Sequence, residues 1–193
     1  MILASLGELG IPKAQFVSTI LQRTVDSSTN MLAVRVGSQL FETTAKGIDH
    51  VEFFISTNVG EVPKPLVKVA SGGEVSRIML ALKGALAQSD KTPLLIFDEI
   101  DTGVSGRIGQ AVGLSLKKLA AHHQVVAITH LPQIAGLADT HFAVEKSETN
   151  KKTSTQLRLL KTEERVREVA KLMSGTEVTE AGLKSARELM GIK

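Results

Sequence analysis

The chain's 193 residues are enough for one well-buried core with an appendage. Aromatic residues make up only 3% and Trp and Tyr are absent, which argues against stacking platforms for single-stranded nucleic acid. A formal net charge of +3 is too small to define a nucleic-acid surface, and the lack of Cys excludes disulfides, thiolate metal sites and a cysteine nucleophile. No apolar run is long enough to span a bilayer, and the apolar start is broken by Glu8 and Lys13 without a basic lead. The chain therefore reads as cytoplasmic, with no membrane partner.

In chain order, Ile2, Leu6 and Leu9 fall at helical spacing, with Gly10 at the C-cap and Pro12 as a stop. Residues 14–23, 31–36 and 49–57 read as strands of an antiparallel meander, separated by turn-rich Asp26–Asn30 and Thr43–Gly47. Gln39 to Phe41 either extends the second strand or sits in the turn. Residues 61–65 form an extended connector held out of helix by Pro63 and Pro65.

A helix follows, with Val75, Ile78, Met79, Leu82 and Leu86 on one stripe. Ser71 as N-cap and Glu74 three residues into the helix form a capping box. That accounts for Ser71 and Glu74 but not for Gly72 and Gly73. Each glycine in a helical turn costs about 1 kcal/mol relative to Ala. Two together imply that something approaches the backbone closely. A bare helix N-terminus is an anion site, and phosphate is its natural guest.

Residues 94–97 are a continuous apolar run that suits a strand buried on both faces, as in a parallel sheet. The run ends in Asp98 and Glu99. A helix over residues 105–121 carries Ile108, Val112, Leu116 and Leu119 on one face, with Ser105 as N-cap. Residues 125–128 form a second strand ending in Thr129 and His130. Strand, helix, strand is a βαβ unit whose right-handed crossover makes the strands parallel. Asp98, Glu99 and His130 are thus expected at one sheet edge, where open α/β folds bind ligands. One acid suits Mg²⁺ and its neighbour suits orienting a water.

The adjacent His122 and His123 lack a ligand set and suit a helix C-terminus, and His50 and His141 are lone strand histidines. Pro132 to Leu137 reads as a short helix with Pro at its first position. Residues 141–145 and 155–160 read as a hairpin around 147–153. Thr162 is placed as the cap of a helix with Val166, Val169, Ala170 and Met173 on one face, broken at Gly175. Leu183, Ala186 and Met190 mark a last helix, and the pair is expected to pack on the sheet.

Taken together, Val69-Ala-Ser-Gly-Gly-Glu-Val-Ser-Arg-Ile-Met-Leu-Ala-Leu-Lys83 resembles the signature motif of ABC-type ATPases, in the SMC-like form with Glu after the glycines. Leu94 to Glu99 resembles the Walker B strand, Asp101 to Gly106 the D-loop, and Thr129 to Gln133 the histidine switch. The wording is similar to that of SMC-like bacterial DNA-repair ATPases. Transporter ATPases usually follow Asp-Glu with a Pro-Thr-Ser type of D-loop, so Ile100-Asp101-Thr102-Gly103 disfavours that branch.

The resemblance implies an α/β fold, the C-terminal lobe of a P-loop NTPase head of the ABC/SMC type. It would have parallel core strands, helices and an N-terminal antiparallel β portion. Residues 1–12 would be the end of a coiled-coil arm, with a short core helix as the alternative. Residues 13–66 would be the antiparallel portion, 67–146 the motif-bearing core, and 147–193 the hairpin and C-terminal helices. The resemblance further implies ATP hydrolysis in a sandwich dimer of heads that drives DNA double-strand-break repair. Ser71, Gly72, Gly73 and Glu74 would bind ATP held by the opposing head. Asp98 would support Mg²⁺ through water, Glu99 would polarise the attacking water, and His130 would contact the γ-phosphate. Asp101 would sit across the dimer seam.

None of the 16 glycines has a partner at the spacing of the Gly-x₄-Gly-Lys-Ser/Thr phosphate loop. In the family that loop lies far upstream, beyond a coiled coil. The chain therefore reads as a C-terminal portion, with Met1 a truncation start and a Walker A half of the same protein as its partner. The alternatives are a non-catalytic dimerisation half-site and a transporter-type ATPase subunit.

Overall fold

A computed structural model describes residues 1–26, 32–69, 72–149, 152–175 and 177–192. The expected turn at Asp26–Asn30 and the strand start at Met31 lie largely outside these residues, as does the N-cap residue Ser71. Two compact units form, one of residues 13–70 and one of residues 1–12 with 71–193.

In the first unit, strand β1 (Gln15–Gln22) pairs antiparallel with β4 (Asp49–Ser56), and β4 pairs with the short β5 (Lys64–Pro65). Strands β2 (Ala33–Val36) and β3 (Gln39–Glu42) form a separate hairpin across Gly37, whose φ of 61° fits the tight turn. The expected meander is thus corrected. β1 skips its sequence neighbours to reach β4, and residues 39–42 form a strand of their own. Part of the extended connector also joins the sheet as β5. Among the described residues of this unit only Ile55 and Ser56 are buried, while Val17, Ile20, Leu21 and Val51 are exposed.

The second unit is built on helix α1 (Ile2–Glu8), α2 (Gly72–Leu86), strand β6 (Leu94–Phe97), α3 (Gly106–Leu119) and β7 (Gln124–Ala127). The β6 and β7 strands are parallel, in register from Leu94 opposite Gln124 to Phe97 opposite Ala127. The βαβ unit therefore forms as the apolar pattern requires. Ser105 occupies the N-cap position of α3, but its side chain makes no capping bond. Helix α1 packs on α2 and α3 with Leu6 and Leu9 fully buried. Gly10, at φ 87°, itself lies close against the Ile108 side chain. The α2 stripe is shifted from its expected position. Leu86 is exposed, and Arg77, Leu80 and Ala81 join Ile78 and Leu82 in the buried face.

After α4 (Pro132–Ala135) comes the hairpin of β8 (Phe142–Thr149) and β9 (Lys152–Leu159). Helices α5 (Thr162–Ser174) and α6 (Glu180–Met190) then close a core of Ala135, Val166, Val169, Ala170 and Ala186. They pack mainly on each other and on α4, not on the sheet as expected. The α5 cap is also one residue earlier: Lys161 is the N-cap, and its N–H donates to Glu164 Oε2 at 2.8 Å. Met173 is exposed.

Substituting Leu6→Ala is expected to destabilise the chain by about 2–5 kcal/mol, the usual cost of emptying a full leucine site. Urea unfolding measures it. A change below about 0.5 kcal/mol, the size of a surface substitution, would mean that α1 is not part of the core.

Candidate functional site

The site is a loop, residues 98–102, laid across the start of α2. It begins where β6 ends. Glu99 has φ 56°, the one left-handed non-glycine among the described residues. Such a residue costs on the order of 1–3 kcal/mol, and the surroundings must hold it. They do so on several sides. The Glu99 N–H donates to Asp98 Oδ1 at 2.9 Å, and the Thr102 N–H donates to the Glu99 carbonyl at 3.0 Å. The Ser76 hydroxyl donates to the Asp98 carbonyl at 2.7 Å. The Arg77 guanidinium donates to the carbonyls of Thr102 at 2.8 Å and Ile100 at 3.4 Å.

The paired glycines have their reason here. A Cβ on Gly73 would lie 2.9 Å from both Thr102 Cβ and the Thr102 carbonyl oxygen. A Cβ on Gly72 would lie 2.0 Å from Glu99 Oε2. What approaches the backbone is thus the chain's own loop, with the Glu99 carboxylate beside the helix start, where the dipole favours a negative charge.

Asp101 is turned inward. It is 4% exposed, accepts from the Thr129 hydroxyl at 2.6 Å and the His130 N–H at 2.8 Å, and lies 3.0 Å from His130 Nδ1. Burial acts to raise the Asp101 carboxyl, but these donors and the His130 ring outweigh it and hold it below its ordinary value. The Asp101 carboxylate ties the end of β6 to the end of β7 within one chain. The Thr129 hydroxyl in turn accepts from the Leu131 N–H at 3.0 Å, which fixes the entry to α4.

The parallel pair thus brings Asp98, Glu99 and His130 to one edge, all three exposed. Gly72, Gly73 and Glu74 open α2 beside them, while Ser71 lies outside the described residues. His123 is separate. It is buried just before β7 in the chain, with Nδ1 2.6 Å from the Thr92 carbonyl oxygen. His50 lies 3.7 Å from Glu42 Oε2, in the other unit. Sequence reasoning missed Ser76 and Arg77. Their signal was two polar residues inside an apolar helix, three and four positions after Gly73.

No protein-family model matches the chain. It is 49% identical over 146 residues to the DNA repair protein RecN of Halalkalibacterium halodurans, covering 76% of this chain and 26% of that protein. It is 43% identical over 185 residues to the DNA repair protein RecN of Bacillus subtilis strain 168, covering 96% of this chain and 32% of that protein. The chain is homologous to a part of RecN. It spans about a third or less of the length of these RecN relatives. A crystal structure of an Smc head domain with a coiled coil and joint, from Pyrococcus yayanosii, matches with a TM-score of 0.54 at 16% identity, covering 90% of this chain and 28% of that one. This RecN homologue therefore has a mixed α/β fold of the kind seen in SMC heads.

Two outcomes follow from the geometry. Gly73→Ala is expected to lower the melting temperature more than Gly72→Ala. The first new methyl meets fixed backbone, and the second meets only the movable end of Glu99. Equal melting temperatures would contradict the close approach. Asp101, with its folded value depressed, contributes stability that is full above its unfolded value near about pH 4 and is lost as pH falls through the lower folded value. The stability gap between wild type and Asp101→Asn, read by denaturant titration at several pH values, is expected to narrow through that acid window. A gap independent of pH would contradict the assignment.

Proposed function

We propose that the chain is the part of an SMC-like ATPase head that carries the signature helix, the Walker B acids and the histidine switch. Its reaction is hydrolysis of ATP to ADP and phosphate. The observation that carries this reading is the convergence of Asp98, Glu99 and His130 at one edge of a parallel strand pair, beside the start of α2. Phosphoryl transfer to water needs positioning and charge stabilisation more than covalent chemistry, and each of these residues suits one task. Glu99 presents an exposed carboxylate on a loop held by three hydrogen bonds from Ser76 and Arg77 and two within itself, fit to orient and polarise a water. His130, whose ring lies 3.0 Å from Asp101, would contact the γ-phosphate. Ser71, Gly72, Gly73 and Glu74 would receive the phosphate of nucleotide held by an opposing head.

Mg²⁺ commonly takes one or two carboxylates together with phosphate and water. Among the described residues no group of three or more His, Asp or Glu is gathered to hold a metal. The exposed Asp98 fits the single-carboxylate role, and the ion would neutralise phosphate charge when bound.

The apolar face of the strand pair supports a partner that completes the fold. Leu94, Ile96, Val126 and Ile128 are exposed, whereas parallel strands are normally covered on both faces. A phosphate-loop half of the same protein is the partner that the missing Gly-x₄-Gly-Lys pattern calls for. Pairing of two such heads, and coupling of the cycle to DNA-break repair in the cytoplasm, extend the reading by homology with a DNA repair protein. That homology also favours it over a transporter subunit. Among the described residues no helix is long and apolar enough to cross a membrane.

Glu99→Gln, assayed in the chain combined with the phosphate-loop part of a RecN relative, is expected to slow ATP turnover by about 10²–10⁴-fold while ATP binding is retained. Turnover near the wild-type rate would remove Glu99 from this role.

A further inference from the structure

Gly73, Ser76 and Arg77 lie at i, i+3 and i+4 on α2, and so share one face. All three meet the loop of residues 98–102. Gly73 lets it seat, Ser76 binds the Asp98 carbonyl, and Arg77 binds the carbonyls of Ile100 and Thr102. Arg77 is 5% exposed, and its Nε has no hydrogen-bond partner among the described residues. Burial pulls its guanidinium below the ordinary value, while the charge of Glu74 acts the other way. A buried charge of this kind is costly, and an apolar side chain of similar size would pack without that cost. Its place on the loop's carbonyls gives it a purpose that packing does not.

We propose that Arg77 is a positioning residue that makes the start of α2 and the Glu99–Thr102 loop move as one body. Asp101 extends that body to Thr129 and His130, because it lies on the same loop and receives both their donors. A phosphate arriving at Gly72 and Gly73 would thereby reset the position of the chain's own Glu99 and His130. The inference deepens the ATPase reading above and rests on it for its consequence in turnover.

The test uses wild type, Arg77→Met and Arg77→Lys. In amide exchange on the 193-residue chain, Arg77→Met is expected to speed exchange about tenfold or more at Thr102, Val104 and His130 and to leave the β8–β9 hairpin unchanged. Arg77→Lys should restore part of the protection, since its ammonium can still reach a carbonyl. No local increase would overturn the proposal, and so would an increase spread evenly over the chain. In the second arm, the same variants are combined with the phosphate-loop part of a RecN relative. Arg77→Met is expected to lower kcat about tenfold or more while KM for ATP stays within about twofold. An unchanged kcat would overturn the coupling. Absence of turnover in the wild-type mixture would refute the ATPase reading instead, and the exchange arm would then decide the Arg77 tie alone.

Discussion

One buried carboxylate fixes the geometry on which the rest of the site depends. Asp101 sits at the end of the β6 turn and receives the Thr129 hydroxyl, the His130 N–H and the His130 ring. Without it the two strand ends would be joined only by their short parallel ladder. With it, the loop after β6 is also bonded to Thr129 and His130 after β7. An acid with this little exposure is stable only because its oxygens are satisfied. The same bonds that make its burial tolerable also set where His130 stands. The strained Glu99 follows from the same arrangement. The chain must leave β6, turn over the start of α2 and still deliver Asp101 inward, and a left-handed residue achieves that reversal in one step.

The start of α2 also has a packing role in this arrangement. Its glycines are usually considered for what they offer a ligand. Here they also admit the chain's own loop, at contact distances that leave no room for a methyl group. Ser76 and Arg77 then fasten that loop. The start of α2 and the loop that carries Asp98 and Glu99 are therefore packed against each other.

Local periodicity made much of this legible. The run 94–97, the α3 stripe and the run ending before Thr129 specify a βαβ unit, because a short apolar run between turn residues has few other places to go. The β8–β9 hairpin and the Gly175 break were equally local. What escaped depended on partners distant in sequence. The pairing of β1 with β4 past an intervening hairpin is not written in either strand. The bond from Asp101 to Thr129, 28 positions away, is not written in the glycine-rich loop that carries the acid. Arg77 reads as a charged interruption of an apolar stripe until two backbone carbonyls are found in front of it. The exposed faces of β6 and β7 mark the other limit. Their apolar pattern anticipated cover on both sides, and the chain itself supplies one.

The central claim is that this chain holds one part of a composite nucleotide site. Calorimetric titration with MgATP, first on the chain alone and then on the chain mixed with the phosphate-loop part of a RecN relative, tests it most directly. The account predicts no measurable binding alone and binding with turnover on mixing. Tight binding by the chain alone would contradict it, since that would require a phosphate cradle within the residues described here.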